Sequence, residues 1–151
     1  MADDPRAAAP ELTEQVQQGL RRAIPETFRS TPFMSGLNIS FDRYEPDDVV
    51  VRLPFSEALT NDGVVYHGGV IATMIDTAGA AAAWSNHDFN RGTRAATVSM
   101  SLQYVGAARC SDLLCSARTI RRGRELVFTE ITATDESGSV VAHAHQTYRI
   151  V

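Results

Sequence analysis

Cysteine is scarce in this chain, with Cys110 and Cys115 the only two in 151 residues. They are too few for a secreted disulfide framework or a structural zinc, so reduced, cytoplasmic thiols are expected, and nothing around either marks it as activated. Positive charge is also in deficit: 14 basic residues against 18 acidic ones leave a formal net charge of −4. That balance argues against the long phosphate-backbone contacts of a general nucleic-acid binder, while leaving room for a local basic patch. No run of eighteen apolar residues occurs, and the opening MADDPRAAAP has acids and prolines where a signal peptide has a basic and then an apolar stretch. The expectation is a soluble cytoplasmic chain with neither a nucleic-acid nor a membrane partner. Internal repeats and phosphate-cradling glycine loops are absent too.

What is present suffices for one core: 44% of the residues are hydrophobic, and a chain of this length buries roughly two-thirds of its unfolded surface. Residues 1–10 read as a flexible leader and 11–151 as a single domain. Leu12, Val16, Leu20 and Ile24 recur every four positions, which predicts an amphipathic helix closed by Pro25 and covering the chain's own sheet, with partner binding as the alternative.

From Gly36 the period changes to two. Leu37, Ile39 and Phe41 alternate with polar residues, and after Glu45-Pro46-Asp47-Asp48 so do Val49, Val51, Leu53 and Phe55, which predicts a hairpin. Ser56 to Tyr66, containing Asn61-Asp62-Gly63, reads as a loop. Gly68 to Asn86 is apolar on every side of a helical wheel and must be buried. Four strand-like runs follow, over 95–105, 112–122, 125–135 and 140–150, with hairpin turns at Arg121 to Arg124 and Asp135 to Gly138. The order predicts an α+β layout with an antiparallel sheet curling around one central helix.

Within that buried helix Asp76 is the one charged side chain. A carboxylate there costs several kcal/mol unless compensated. It is either a structural group bonded to a neighbour such as Thr73 or Thr77, or a functional one. At the helix start, His67-Gly68-Gly69 sets an imidazole and two glycines where the first amides lack partners, a place that stabilises negative charge. A glycine amide there can hold the oxyanion formed when a thioester carbonyl is attacked. The competing readings are that His67 caps the helix and that the glycines only permit a tight turn. Asn61 offers an amide side chain six residues before His67.

Taken together, Asn61, His67-Gly68-Gly69 and Asp76-Thr77-Ala78 resemble the signature of the phenylacetate-degradation (PaaI-like) branch of the hotdog-fold thioesterases. The likeness runs from about Phe33 to the end, through the Gly106 turn and the closing Tyr148-Arg149-Ile150. It implies a hotdog fold and hydrolysis of acyl-CoA-type thioesters to free acid and thiol, with no metal and no cofactor besides the coenzyme A of the substrate. Position by position it implies that Asp76 is nucleophile or general base and that the Gly68 amide polarises the carbonyl. Asn61, His67 and Gly69 would position the substrate, and Thr97 would supply a hydroxyl from the next strand, with Ser99 as competitor. It also implies homodimers or dimers of dimers. A hotdog hydratase or dehydratase and a non-catalytic acyl-CoA sensor are the alternative activities.

Spacing adds an argument of its own. Asp76 lies eight residues beyond Gly68, about 12 Å along a helix. One reacting carbonyl cannot touch both, so if both act they come from different subunits, across a twofold axis. Arg118, Arg121, Arg122 and Arg124 surround one turn and suit the phosphates of coenzyme A, or form a solvated basic turn. His143 and His145 share a strand face at a spacing that suits a metal, but the sequence presents no third ligand, and the face is read as solvated.

Overall fold

The computed structural model describes residues 10–151; residues 1–9 of the expected leader lie outside the described residues. Helix α1 spans Glu14–Ser30, strands β1 and β2 span Ser40–Glu45 and Asp48–Leu53, and helix α2 spans Gly68–Ser85. Strands β3 to β6 follow at Ala95–Tyr104, Leu113–Arg122, Leu126–Thr134 and Val140–Ile150. One six-stranded antiparallel sheet results, in the order β1-β2-β4-β5-β6-β3, and α2 packs against all six strands. This is the hotdog arrangement.

The reason lies in α2. From Thr77 to Ser85 every residue is buried, and the small alanine side chains at 78 and 80–83 let the sheet close around the helix while favouring helical backbone. The inward faces of β4, β5 and β6 alternate as a half-buried sheet requires, with Leu113, Cys115, Ala117, Ile131, Ala133, Ala142 and Ala144 essentially inaccessible. Burial pushes the Cys115 thiol up to about 12, while Cys110 is exposed.

Two sequence expectations need correction. Pro25 does not close α1: the helix continues to Ser30. Proline removes one helical hydrogen bond, but Phe28, one turn on, packs against both hydrophobic clusters of the core and holds the next turn in place. Nor does the whole four-residue stripe face the core. At about 100° per residue, steps of four drift by about 40° each, so Ile24 is buried while Leu12, Val16 and Leu20 are exposed. The helix covers α2 and β1. Polar contacts clamp it to the segment after α2: Gln17 Nε2 donates to Asp88 Oδ1 at 2.7 Å, the Phe89 amide donates to Gln17 Oε1 at 2.8 Å, and Arg21 Nε donates to the His87 carbonyl at 2.9 Å.

The four C-terminal runs are antiparallel, but β3 does not pair with its successor. It lies at the sheet edge beside β6. Among the described residues its other edge carries no partner strand, and its side chains are mostly exposed.

Candidate active site

Asp76 sits on α2 where the helix passes from its partly open first half to its buried second half. The neighbours expected to hold it do not: Thr73 donates to the Gly69 carbonyl and Thr77 to the Thr73 carbonyl, each bonding back along the helix. Its partners come from the sheet instead. Thr97 Oγ1 donates to Asp76 Oδ1 at 2.6 Å, and Gln146 Nε2 donates to the same oxygen at 2.5 Å and to the Asp76 carbonyl at 3.2 Å. Both side-chain bonds land on Oδ1, and Oδ2 has no partner among the described residues.

Ser99 is excluded from this cluster by a bulge. Thr97 pairs with Tyr148 and Ser99 with Thr147, the register slipping between them. Tyr148 is an inward residue, so Thr97 faces α2 and Ser99 turns outward. Gln146 is the residue that sequence reasoning missed. It is 2% exposed and stands on the inward face of β6 among Ala142, Ala144 and Tyr148. A glutamine in that apolar alternation was the available signal. Gly79 makes its entry possible, because a Cβ there would collide with the Gln146 amide.

Asp76 and Thr97 line a cleft of about 330 Å³ whose remaining wall includes Phe28, Phe33, Met34 and Tyr148. Larger clefts exist, beside α1 and at the start of β3, but of the three only this one is lined by the carboxylate on α2. Burial pushes the Tyr148 phenol up, and Trp84 Nε1 donates to its oxygen at 3.2 Å.

The other half of the expected constellation lies at the start of α2. His67 is the N-cap, its Nδ1 accepting from the Gly69 amide at 2.9 Å, so the neutral ring carries its proton on Nε2. Val70 and Ile71 bond the His67 carbonyl. The Gly68 amide alone of this turn has no acceptor among the described residues, which narrows the expected pair of free amides to one. Tyr104 Oη donates to the Gly68 carbonyl at 2.8 Å. Asn61 lies in an exposed loop, its backbone amide bonded to the Val65 carbonyl. Asp76 and Gly68 are thus about 12 Å apart within one chain.

Arg122 is occupied in a different way from that expected. It donates to Asp47 Oδ1 at 2.5 Å and to the Ala83 carbonyl at 2.8 Å, capping the end of α2. A bulge between Thr119 and Arg121 turns Arg122, rather than Arg121, toward the helix. Burial raises the Asp47 carboxyl, but bonds from Arg122 and Asn86 outweigh it and hold the group below the usual range. Arg118 pairs with Glu130. Arg121 and Arg124 are exposed and have no acidic partner among the described residues.

Comparison with known proteins adds the family. The thioesterase superfamily profile matches residues 63–142, over half of the chain. The chain belongs to the thioesterase superfamily. A Halobacterium salinarum protein provisionally named an esterase is 33% identical over 102 residues, 66% of this chain and 67% of that protein. Human acyl-coenzyme A thioesterase 13 is 26% identical over 133 residues, covering 86% and 93%. Among solved structures, the E. coli PaaI protein from the phenylacetic acid degradation operon superposes with a TM-score of 0.77 at 16% identity, over 89% of this chain and 96% of that one. A hypothetical thioesterase from Streptococcus pneumoniae, solved with coenzyme A, gives 0.67 at 21% identity, over 76% and 86%. These likenesses establish this superfamily member as PaaI-like in fold. No helix of the described residues is long and apolar enough to cross a membrane.

Proposed function

We propose that this superfamily member hydrolyses acyl-CoA-type thioesters, with Asp76 as nucleophile or general base and the Gly68 amide of a second copy as oxyanion donor. The observation that carries the reading is the Asp76 carboxylate: anchored through Oδ1 by Thr97 and Gln146, it leaves Oδ2 unpartnered at the wall of a cleft. As a general base, Oδ2 takes a proton from water, the hydroxide adds to the thioester carbonyl, and the oxyanion rests on the amide. Collapse breaks the carbon–sulfur bond, and the thiolate recovers the proton. As a nucleophile, Oδ2 adds to the carbonyl itself, the carbon–sulfur bond breaks and the thiolate leaves. Water then opens the resulting mixed anhydride, freeing the acid and Asp76 and supplying the proton that the thiolate takes up.

The separation of Asp76 from Gly68 supports a dimer with two shared sites, and the unpaired, exposed edge of β3 supports the surface on which a second copy seats. Pairing two such dimers is the further assembly we propose. Coenzyme A as the thiol carrier is supported by the Streptococcus pneumoniae neighbour, solved with that molecule, and by the unpaired Arg121 and Arg124, which suit its phosphates. It enters as part of the substrate, and no other cofactor is invoked. Asn61 and Gly69 would orient the acyl group.

Mixing two inactive chains tests the shared site. Asp76→Asn removes the carboxylate, and Gly68→Pro removes the amide hydrogen without breaking the helix start. Proline suits the first helical position, His67 already has the extended backbone it requires, and an added Cβ meets the Tyr104 ring at an ordinary contact distance of 3.4 Å. A mixed dimer restores one complete site. Thiol release by co-refolded chains should recover to about a quarter of the wild-type rate, since half of the dimers are mixed and half of their sites intact. No recovery would refute the shared site, and no thiol release by the wild-type chain across a panel of acyl thioesters would refute the activity.

A further inference from the structure

His143 and His145 acquire through folding the third ligand that the sequence did not present. Across the β5–β6 pairing, His145 stands opposite Glu130 and His143 opposite Thr132. Residues two apart on a strand share a face, and Gln146, the next residue, points inward to Asp76. The two imidazoles and the Glu130 carboxylate therefore meet on the outer face of the sheet, away from the Asp76 cleft. One donor atom from each of the three lies within 4.8 Å of the others. His143 Nε2 is 3.6 Å from Glu130 Oε1, and the two imidazole rings meet edge-on with centroids 5.2 Å apart.

The surroundings brace this cluster as a metal site is braced. The second nitrogen of His143, Nδ1, lies 3.1 Å from Thr132 Oγ1, and the second oxygen of Glu130 accepts from Arg118 at 2.8 Å. Such outer contacts orient a ligating imidazole and a ligating carboxylate. In the tautomer whose Nδ1–H donates to Thr132, Nε2 turns a lone pair toward a carboxylate oxygen, an arrangement that a cation between them would satisfy. Zinc bonds of about 2.0–2.2 Å need tetrahedral donors separated by roughly 3.3–3.6 Å. The present donors lie within 4.8 Å of one another, so binding requires the side chains to close by up to about 1.5 Å.

We propose that Glu130, His143 and His145 bind one divalent transition-metal ion of the zinc class per chain, with water completing the shell. Two imidazoles and one carboxylate suit zinc, nickel or copper, and are a poor match to calcium or magnesium, which take oxygen ligands. The site is separate from the hydrolytic one, so a chelator leaves thioester hydrolysis intact.

The test uses the whole chain, stripped with chelator and titrated with zinc chloride by calorimetry and with cobalt(II) chloride by visible absorption. One ion per chain is expected, with d–d bands of a four-coordinate cobalt centre. His143→Gln and His145→Gln, which keep the exposed face polar, should each weaken binding at least about 10-fold, with Glu130→Gln doing the same. Substoichiometric binding, or binding indifferent to all three substitutions, would show a plain histidine–carboxylate surface pair and overturn the assignment.

Discussion

Gln146, on the last strand, donates its side-chain amide to Asp76 Oδ1 at 2.5 Å and to the Asp76 carbonyl at 3.2 Å, tying the proposed catalytic carboxylate to its own backbone. The amide is itself braced by Thr129, whose hydroxyl lies 3.5 Å from Gln146 Oε1. Replacing it frees the carboxylate to rotate without touching the substrate. Gln146→Leu should lower kcat about 10- to 100-fold and leave KM nearly unchanged, because small misplacements of a reacting group cost rate more than binding. Thr97→Val should act in the same direction, with Thr97→Ser restoring most of the loss. Steady-state kinetics on an acyl-CoA ester provide the check. Equal losses in kcat and thermal stability, with KM raised, would point to simple unfolding.

Asp76→Asn keeps the shape and the acceptor for both donors but removes the negative charge. Hydrolysis should fall to background while the melting temperature stays within a few degrees. Near-full activity in this variant would remove Asp76 from the chemistry.

Gly79 has room only for hydrogen, because the Gln146 amide and the Thr129 hydroxyl fill the space beside it. Gly79→Ala should destabilise the fold by about 1–3 kcal/mol through overpacking and lower activity by displacing Gln146. The double variant Gly79→Ala with Gln146→Ala should recover stability but not activity. Denaturant melts beside a thiol-release assay separate the two effects.

Asp47 and Arg122 tie the β1–β2 turn to the end of α2. The folded Asp47 titrates below its unfolded value, so its contribution to stability is complete above about pH 4 and fades as pH falls through the lower folded value. Asp47→Asn should cost about 1 kcal/mol at neutral pH, solvent screening of this partly exposed pair keeping the figure small. The deficit relative to wild type should shrink as melts are repeated from pH 7 toward pH 3. A deficit independent of pH would assign the loss to shape instead of charge.

His67 caps α2 through its ring nitrogen. His67→Ala should lower stability by about 1 kcal/mol, and His67→Asn, which also caps, should restore most of it. Thermal melts of the two variants decide the point.

Much of this molecule was legible in its residues. The all-round apolar character of 68–86 required a buried helix, and α2 is one. The alternation from Ala95 onward marked four strands, and all four form within a residue or so of the expected bounds. Asp76 stood out because a lone carboxylate in that helix demands partners. The identity of the partners was hidden, since Gln146 is 70 residues away in sequence and only the β6 register brings it beside the helix. The end of α1 was misjudged for a similar reason: Phe28 holds the turn after Pro25 through contacts with distant residues.

Periodicity and composition act over a few residues, so helix, strand and turn chemistry could be read directly from the chain order. Which side chain faces inward depends on the pairing of strands, and one extra residue reverses it. The bulge near Val98 sends Thr97 toward Asp76 and Ser99 outward, and the bulge near Ile120 turns Arg122 toward α2 in place of Arg121. Both choices follow from where hydrogen bonds to the neighbouring strand slip by one place, a property of two segments together that neither carries alone.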